Sequence, residues 1–205
     1  MNINKKEILK NISISIILGI ILGFITEFAL IFNMEATINV TQSLLFWAFV
    51  MTIVSIFSKD YKYSIINSSF VMSFMSISYY LIRYFKSGFA SFYSMRMWIL
   101  VGITGSLYFA TIVYVLKNKI LNRRENVIPQ ICSIIFMTIF GVCAIPFSML
   151  IYFVFRIGFF HNGFWNISIG VILGFIIGDL LGKGINKLLG KGKNKIKNKI
   201  EVKEE

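Results

Sequence analysis

The residues able to bind a ligand are few, and they fall in aromatic parts of the sequence. The candidate binding residues are Glu27, Tyr80, Arg83, Arg96, Trp98, Arg156, His161 and Trp165. The planar guanidinium of arginine suits carboxylate or phosphate groups, and aromatic walls with few polar groups are typical of small-molecule sites. The combination predicts a pocket for a small anionic solute, in which Glu27 orders one of the arginines.

Catalysis is not indicated by the residue types. The chain has one histidine, so neither an HExxH zinc site nor another multi-histidine metal centre can be assembled. The sequence contains no Gly-x-Ser-x-Gly nucleophile turn and no GxxxxGK[ST] phosphate loop. We therefore expect no enzyme activity, no catalytic residue, no metal site and no cofactor.

The composition is typical of an integral membrane protein. Hydrophobic residues make up 57% and charged residues 15%, and the mean hydropathy is +0.75. A soluble domain has about 45–50% apolar and about 25% charged residues, and a disordered chain would be poor in aromatic residues, of which this one has 21 Phe and 9 Tyr. The first expected partner is therefore the lipid bilayer, whose core of about 30 Å a helix of roughly 20 apolar residues can cross.

Six apolar stretches meet or approach that length and predict an all-α integral membrane protein, a bundle of six transmembrane helices. The predicted spans cover 12–32, 40–57, 65–82, 97–116, 127–155 and 167–181. They form one transmembrane domain over 12–182, between an N-terminal segment over 1–11 and a Lys-rich tail over 183–205. Pro146 favours a bend in the fifth span, which leaves open whether that span is one helix or two.

Lysine and arginine are distributed unequally between the two sides that six spans define. Of the 21 cationic residues, only Arg83, Lys86, Arg96 and Arg156 lie on the side away from both termini. Because cytoplasmic loops carry the excess of cations, we expect a multi-pass protein of the cell membrane with both termini cytoplasmic.

The Lys-rich tail is predicted to be flexible, since Gly190 and Gly192 weaken any helix that leads into it. We interpret its lysines as a topology anchor attracted to anionic lipid. Binding of RNA or of an acidic partner is the alternative, and we expect no nucleic-acid partner.

Small residues at four-residue spacing predict two helix-packing faces. They are Ser15, Gly19 and Gly23 in the first span and Gly170, Gly174, Gly178 and Gly182 in the last. This spacing lines one face of a helix and lets another helix backbone approach closely. The pattern does not distinguish an internal partner from another membrane subunit.

Charged residues inside predicted spans are costly and need partners. Asp179 precedes Lys183 by one turn, which predicts an ion pair. Glu27 has no cation nearby in its own span, so its partner must come from another helix or from a water-filled cavity. A polar stripe in the third span ends at Arg83 and offers such a partner; it consists of Ser69, Ser73, Ser76, Tyr80 and Arg83.

This layout, with small residues four apart at Ser15, Gly19 and Gly23, resembles the substrate-binding component of energy-coupling factor transporters. The resemblance implies that these residues meet a coupling subunit of a transporter ATPase module, and that a solute binds from outside. The stretch from Ser78 to Trp98 is similar to small uncharacterised multispan proteins of low-GC bacteria. Two functions stand: a solute-binding or transport component, and a non-transporting regulatory, immunity or assembly protein that acts through helix packing.

Overall fold

The computed structural model describes residues 5–58, 60–120, 127–155 and 163–201, and this part of the chain is helical without strands. Seven helices follow one another along it. They are α1 (Lys5–Ile31), α2 (Glu35–Thr41), α3 (Leu44–Phe57), α4 (Tyr61–Ser87), α5 (Phe92–Ile120), α6 (Ile128–Phe155) and α7 (Gly163–Glu201). The expected all-α class is therefore confirmed.

Among the described residues, five helices are long and apolar enough to cross a membrane, which makes the chain a multispan membrane protein. Their apolar segments are Ile8–Ile31, Tyr61–Ser87, Phe92–Ile120, Ile128–Pro146 and Trp165–Gly190. A sixth span exists only if α2 and α3, which meet at an angle of 60°, are taken together as one.

The predicted second span, 40–57, is thus not one straight helix. The chain breaks after Thr41, where Ser43 caps the next helix by accepting a hydrogen bond from the backbone N–H of Phe46 at 3.1 Å. The mean hydropathy of the segment does not predict this break. One serine lowers that mean only slightly, yet its side chain can cap the start of a helix. The 14 residues of α3 extend about 21 Å, which is shorter than the bilayer core of about 30 Å.

The last two predicted spans are both single helices. Helix α6 runs through Pro146 without interruption over 28 residues. Helix α7 has 39 residues, so the expectation of a flexible tail from Gly190 onwards is wrong for the part that the structure describes. Isolated glycines cost about 1 kcal/mol each within a helix, and the lysines and leucines around them are good helix formers.

The helices pack as two close pairs joined through the centre of the bundle. Helix α1 lies along α4, and α6 lies along α7, whereas α5 contacts α3, α4, α6 and α7. A buried cluster of Val50, Met51, Val71 and Met72 fixes α3 against α4. Helix α4 therefore contacts α1, α3 and α5, and α2 joins α1 to α3, so the first five helices can contribute to one site.

Candidate functional site

A cavity of about 310 Å³ opens where α1 and α4 end and α5 begins. Five helices and the α2–α3 turn contribute to its wall. The lining residues are Thr26, Thr41, Gln42, Trp47, Met75, Ser76, Tyr79, Tyr80, Arg83 and Trp98. Its volume lies at the lower end of the range of small-molecule sites, about 300–1,000 Å³.

Four aromatic rings line this cavity. The ring centroids of Trp47 and Trp98 are 5.4 Å apart, which joins α3 to α5. Tyr79 and Tyr80 meet edge to face with their centroids 5.0 Å apart. The indole N–H of Trp47 donates to the backbone carbonyl of Thr41 at 2.9 Å, so the break between α2 and α3 sets the position of this ring.

Arg83 is the cation of the lining. Its Nη1 donates to the Tyr79 hydroxyl, one turn earlier on α4, at 3.0 Å. A guanidinium carries five N–H donors, so this bond orients the group and leaves other donors for a ligand. Helix α4 ends soon after, at Gly88, whose φ of 67° is in the left-handed region. Arg83 is thereby held in the last turns of α4, exposed at the mouth.

Glu27 lies beside the cavity without lining it. The residue is 4% exposed, and its Oε2 has no hydrogen-bond partner among the described residues. Arg83 and Lys86 attract its carboxylate electrostatically, but no ion pair joins Glu27 to either of them within the described chain. The side chain that orients Arg83 is therefore Tyr79 rather than Glu27.

The serine and threonine hydroxyl groups of the lining already donate their protons to their own helices. Thr26 donates to the Leu22 carbonyl at 2.8 Å, and Thr41 donates to Thr37 at 2.9 Å. Ser76 donates to the Met72 carbonyl at 3.0 Å. A hydroxyl has one proton and two lone pairs, so each of these three oxygens can still accept a hydrogen bond.

The structure thus brings together Tyr80, Arg83 and Trp98 from the predicted binding set. Arg96 is an exposed residue of α5 outside the lining, and Trp165 lies in α7, also outside it. Arg156 and His161 fall outside the described residues. Sequence reasoning missed Thr26, Thr41, Gln42, Trp47, Met75 and Tyr79. The four-residue step from Tyr79 to Arg83 was a usable signal, whereas the α2 and α3 residues depend on the break between these helices.

Both small-residue stripes meet helices of the same chain. A Cβ added at Gly19 would lie 2.4 Å from the Val71 carbonyl oxygen of α4, and one at Gly23 would lie 2.4 Å from that of Met75. Ser15 of the same stripe is buried and donates to its own helix. The stripe of α7 meets α6 at every step, with added Cβ atoms 2.4–2.5 Å from its backbone at Gly170, Gly174, Gly178 and Gly182.

A polar cluster closes the opposite end of the bundle. Lys117 of α5 donates its Nζ to the carbonyl oxygens of Ile56 and Ser58 at 2.9 and 3.2 Å. A cation at the end of a helix satisfies carbonyls that have no intrahelical partner. The predicted ion pair between Lys183 and Asp179 is present on α7. This end is polar but nearly filled, since its cavity measures about 10 Å³.

In the described ranges, no group of three or more His, Cys, Asp or Glu residues is placed to hold a metal ion. The cavity therefore offers aromatic faces, acceptor oxygens and a guanidinium.

No known protein family, curated protein or solved structure matches this chain.

Proposed function

We propose that this protein is a solute-binding component of the cell membrane, which takes up a small solute with an anionic group in the cavity between α1 and α5. The observation that carries the proposal is the cavity itself: four aromatic rings and one arginine enclose about 310 Å³. A carboxylate or phosphate would pair with the free N–H groups of Arg83. The rings would cover the apolar part of the solute.

The proposed orientation makes this cavity accessible from outside. The cavity lies at the end of α1 that is remote from the N-terminus, and the excess of cations favours a cytoplasmic N-terminus. If α2 and α3 together form a sixth crossing, the C-terminus is cytoplasmic as well. Membrane-impermeant thiol reagents test this in a variant without Cys132 and Cys143.

In intact cells, a cysteine at Phe89 should react with such a reagent, and one at Ile120 should react only after the membrane is opened. Both positions are exposed, at 73% and 76%, so a difference in labelling reports the side of the membrane. The opposite pattern would refute the outward orientation.

Transfer of the solute would need another membrane subunit or a transporter ATPase module. The faces of Gly19 and Gly23 are covered by α4, so a partner would meet other surfaces of α1. The alternative function, packing as a regulatory, immunity or assembly protein, needs no ligand. Saturable ligand binding therefore distinguishes the two functions.

The binding test uses intrinsic fluorescence, because two of the three tryptophans line the cavity. We expect 3-phenylpropionate to change the emission of the detergent-purified protein saturably, and native mass spectrometry to show one bound molecule. Arg83→Gln should weaken binding about tenfold, since a charge-assisted pair is lost. The matched control is Arg96→Gln, which removes an exposed arginine outside the lining. If no carboxylate-bearing ligand binds saturably to the wild type, or if both variants have equal effects, the proposal is refuted.

A further inference from the structure

We infer that the solute is a zwitterion, with a carboxylate at Arg83 and an ammonium group directed towards the hydroxyls of Thr26, Thr41 and Ser76. The inference rests on the proposed function and narrows its ligand class. It comes from the direction of the hydrogen bonds in the lining.

The hydroxyl floor, formed by Thr26, Thr41 and Ser76, can accept hydrogen bonds more readily than it can donate them. Each hydroxyl proton is committed to a carbonyl of the preceding helical turn, at 2.8, 2.9 and 3.0 Å. These residues are 4%, 5% and 2% exposed, so water does not readily replace a missing partner. The lone pairs of these lining hydroxyls match a group rich in donors, and an ammonium group has three.

An anionic group would be disfavoured at this floor. It would meet oxygen lone pairs and no free hydroxyl proton, since the protons of these hydroxyls are already donated to backbone carbonyls. The carboxylate of a solute is therefore restricted to the mouth, where Arg83 lies.

The walls between floor and mouth also suit a cation. Trp47, Trp98, Tyr79 and Tyr80 line them, and an ammonium group over an aromatic face is attracted by the negative face of the ring. The same rings can stack on an aromatic side chain of the solute. A small amino acid with an aromatic side chain combines all three matches within about 310 Å³.

Three probes with the same phenyl group separate the contributions. They are phenylalanine, which carries both charges, 3-phenylpropionate, which carries the carboxylate alone, and phenethylamine, which carries the ammonium alone. In the fluorescence titration we expect phenylalanine to bind about tenfold more tightly than either of the others, because each lacks one charge-assisted interaction.

Thr41→Val tests the floor directly, since it replaces the acceptor oxygen by a methyl group of similar size. We expect weaker binding of phenylalanine and phenethylamine and unchanged binding of 3-phenylpropionate. The control is Thr104→Val, a buried threonine of α5 outside the lining with the same bond to its own helix. Ser76→Ala serves as a second floor variant if Thr41→Val does not fold.

The outcomes distinguish this inference from the proposed function. If 3-phenylpropionate binds as tightly as phenylalanine, or if a floor variant weakens both equally, the zwitterion is refuted while anion binding stands. If 3-phenylpropionate and phenylalanine both fail to bind the wild type, the proposed function falls with it.

Discussion

Gly174 and Gly184 offer a matched pair of alanine substitutions on one helix, with opposite expected signs. A Cβ at Gly174 would lie 2.4 Å from the carbonyl oxygen of Phe136, about 1 Å inside the 3.4 Å at which ordinary contact begins. The obstacle is backbone, so no side-chain rotation relieves it, and α6 and α7 must move apart. A Cβ at Gly184 would meet nothing within 4 Å.

The expected magnitudes follow from two competing effects. Alanine in place of glycine stabilises a helix interior by about 1 kcal/mol, and overpacking of a close contact costs about 1–3 kcal/mol. Gly184→Ala gains the higher helix propensity of alanine without a steric clash. Its free energy of unfolding should therefore rise by up to about 1 kcal/mol. Gly174→Ala should lose up to about 2 kcal/mol net, because separation of the helices also weakens the contacts at neighbouring glycines.

The assay is reversible unfolding in mixed micelles, followed by far-ultraviolet circular dichroism as the fraction of denaturing detergent rises. We expect the midpoint of Gly174→Ala below the wild type and that of Gly184→Ala at or above it. If Gly174→Ala is as stable as Gly184→Ala, the close approach of α6 and α7 does not exist as described.

Three further predictions concern other contacts. Gly88→Ala should lower the free energy of unfolding by about 1 kcal/mol, because an L side chain is strained at a φ of 67°; thermal melts with the wild type as reference check this. Lys117→Met should lower it by about 1–3 kcal/mol through loss of charge-assisted hydrogen bonds to the end of α3. The exposed Lys119→Met is its control, and equal effects would contradict the contact. Tyr79→Phe should weaken binding of 3-phenylpropionate severalfold, because Arg83 loses the hydroxyl that orients it; unchanged affinity in the fluorescence titration would show that Arg83 needs no orientation.

The sequence predicted the long helices and their close-packing stripes, because both depend on local periodicity. Glycines four apart in α7 line one face whatever the fold, and an aliphatic run such as that of α1 is helical in lipid. The helix that each stripe meets is a matter of tertiary arrangement. The sequence could not predict the pairing of α1 with α4 and of α6 with α7, because the small residues of the two stripes allow close packing against many helix surfaces.

The partner of Arg83 was predictable only in part. A charge within a span requires a partner, which favoured Glu27 as the residue that orients an arginine. In the structure, Arg83 interacts electrostatically with Glu27. Arg83 instead donates its direct hydrogen bond to the Tyr79 hydroxyl. A tyrosine one turn before an arginine is visible in the sequence. Its interaction with the arginine is weaker than that of an opposite charge, so the sequence favoured Glu27.

The break between α2 and α3 explains why the cavity could not be derived from apolar spans. In a straight helix, residues 41 and 47 would point about 120° apart and lie about 9 Å apart along the axis. The bend of 60° lets the Trp47 indole N–H reach back to the Thr41 carbonyl, so that both residues face the same cavity. The feature that makes α3 too short to span the bilayer alone is therefore the one that builds the site.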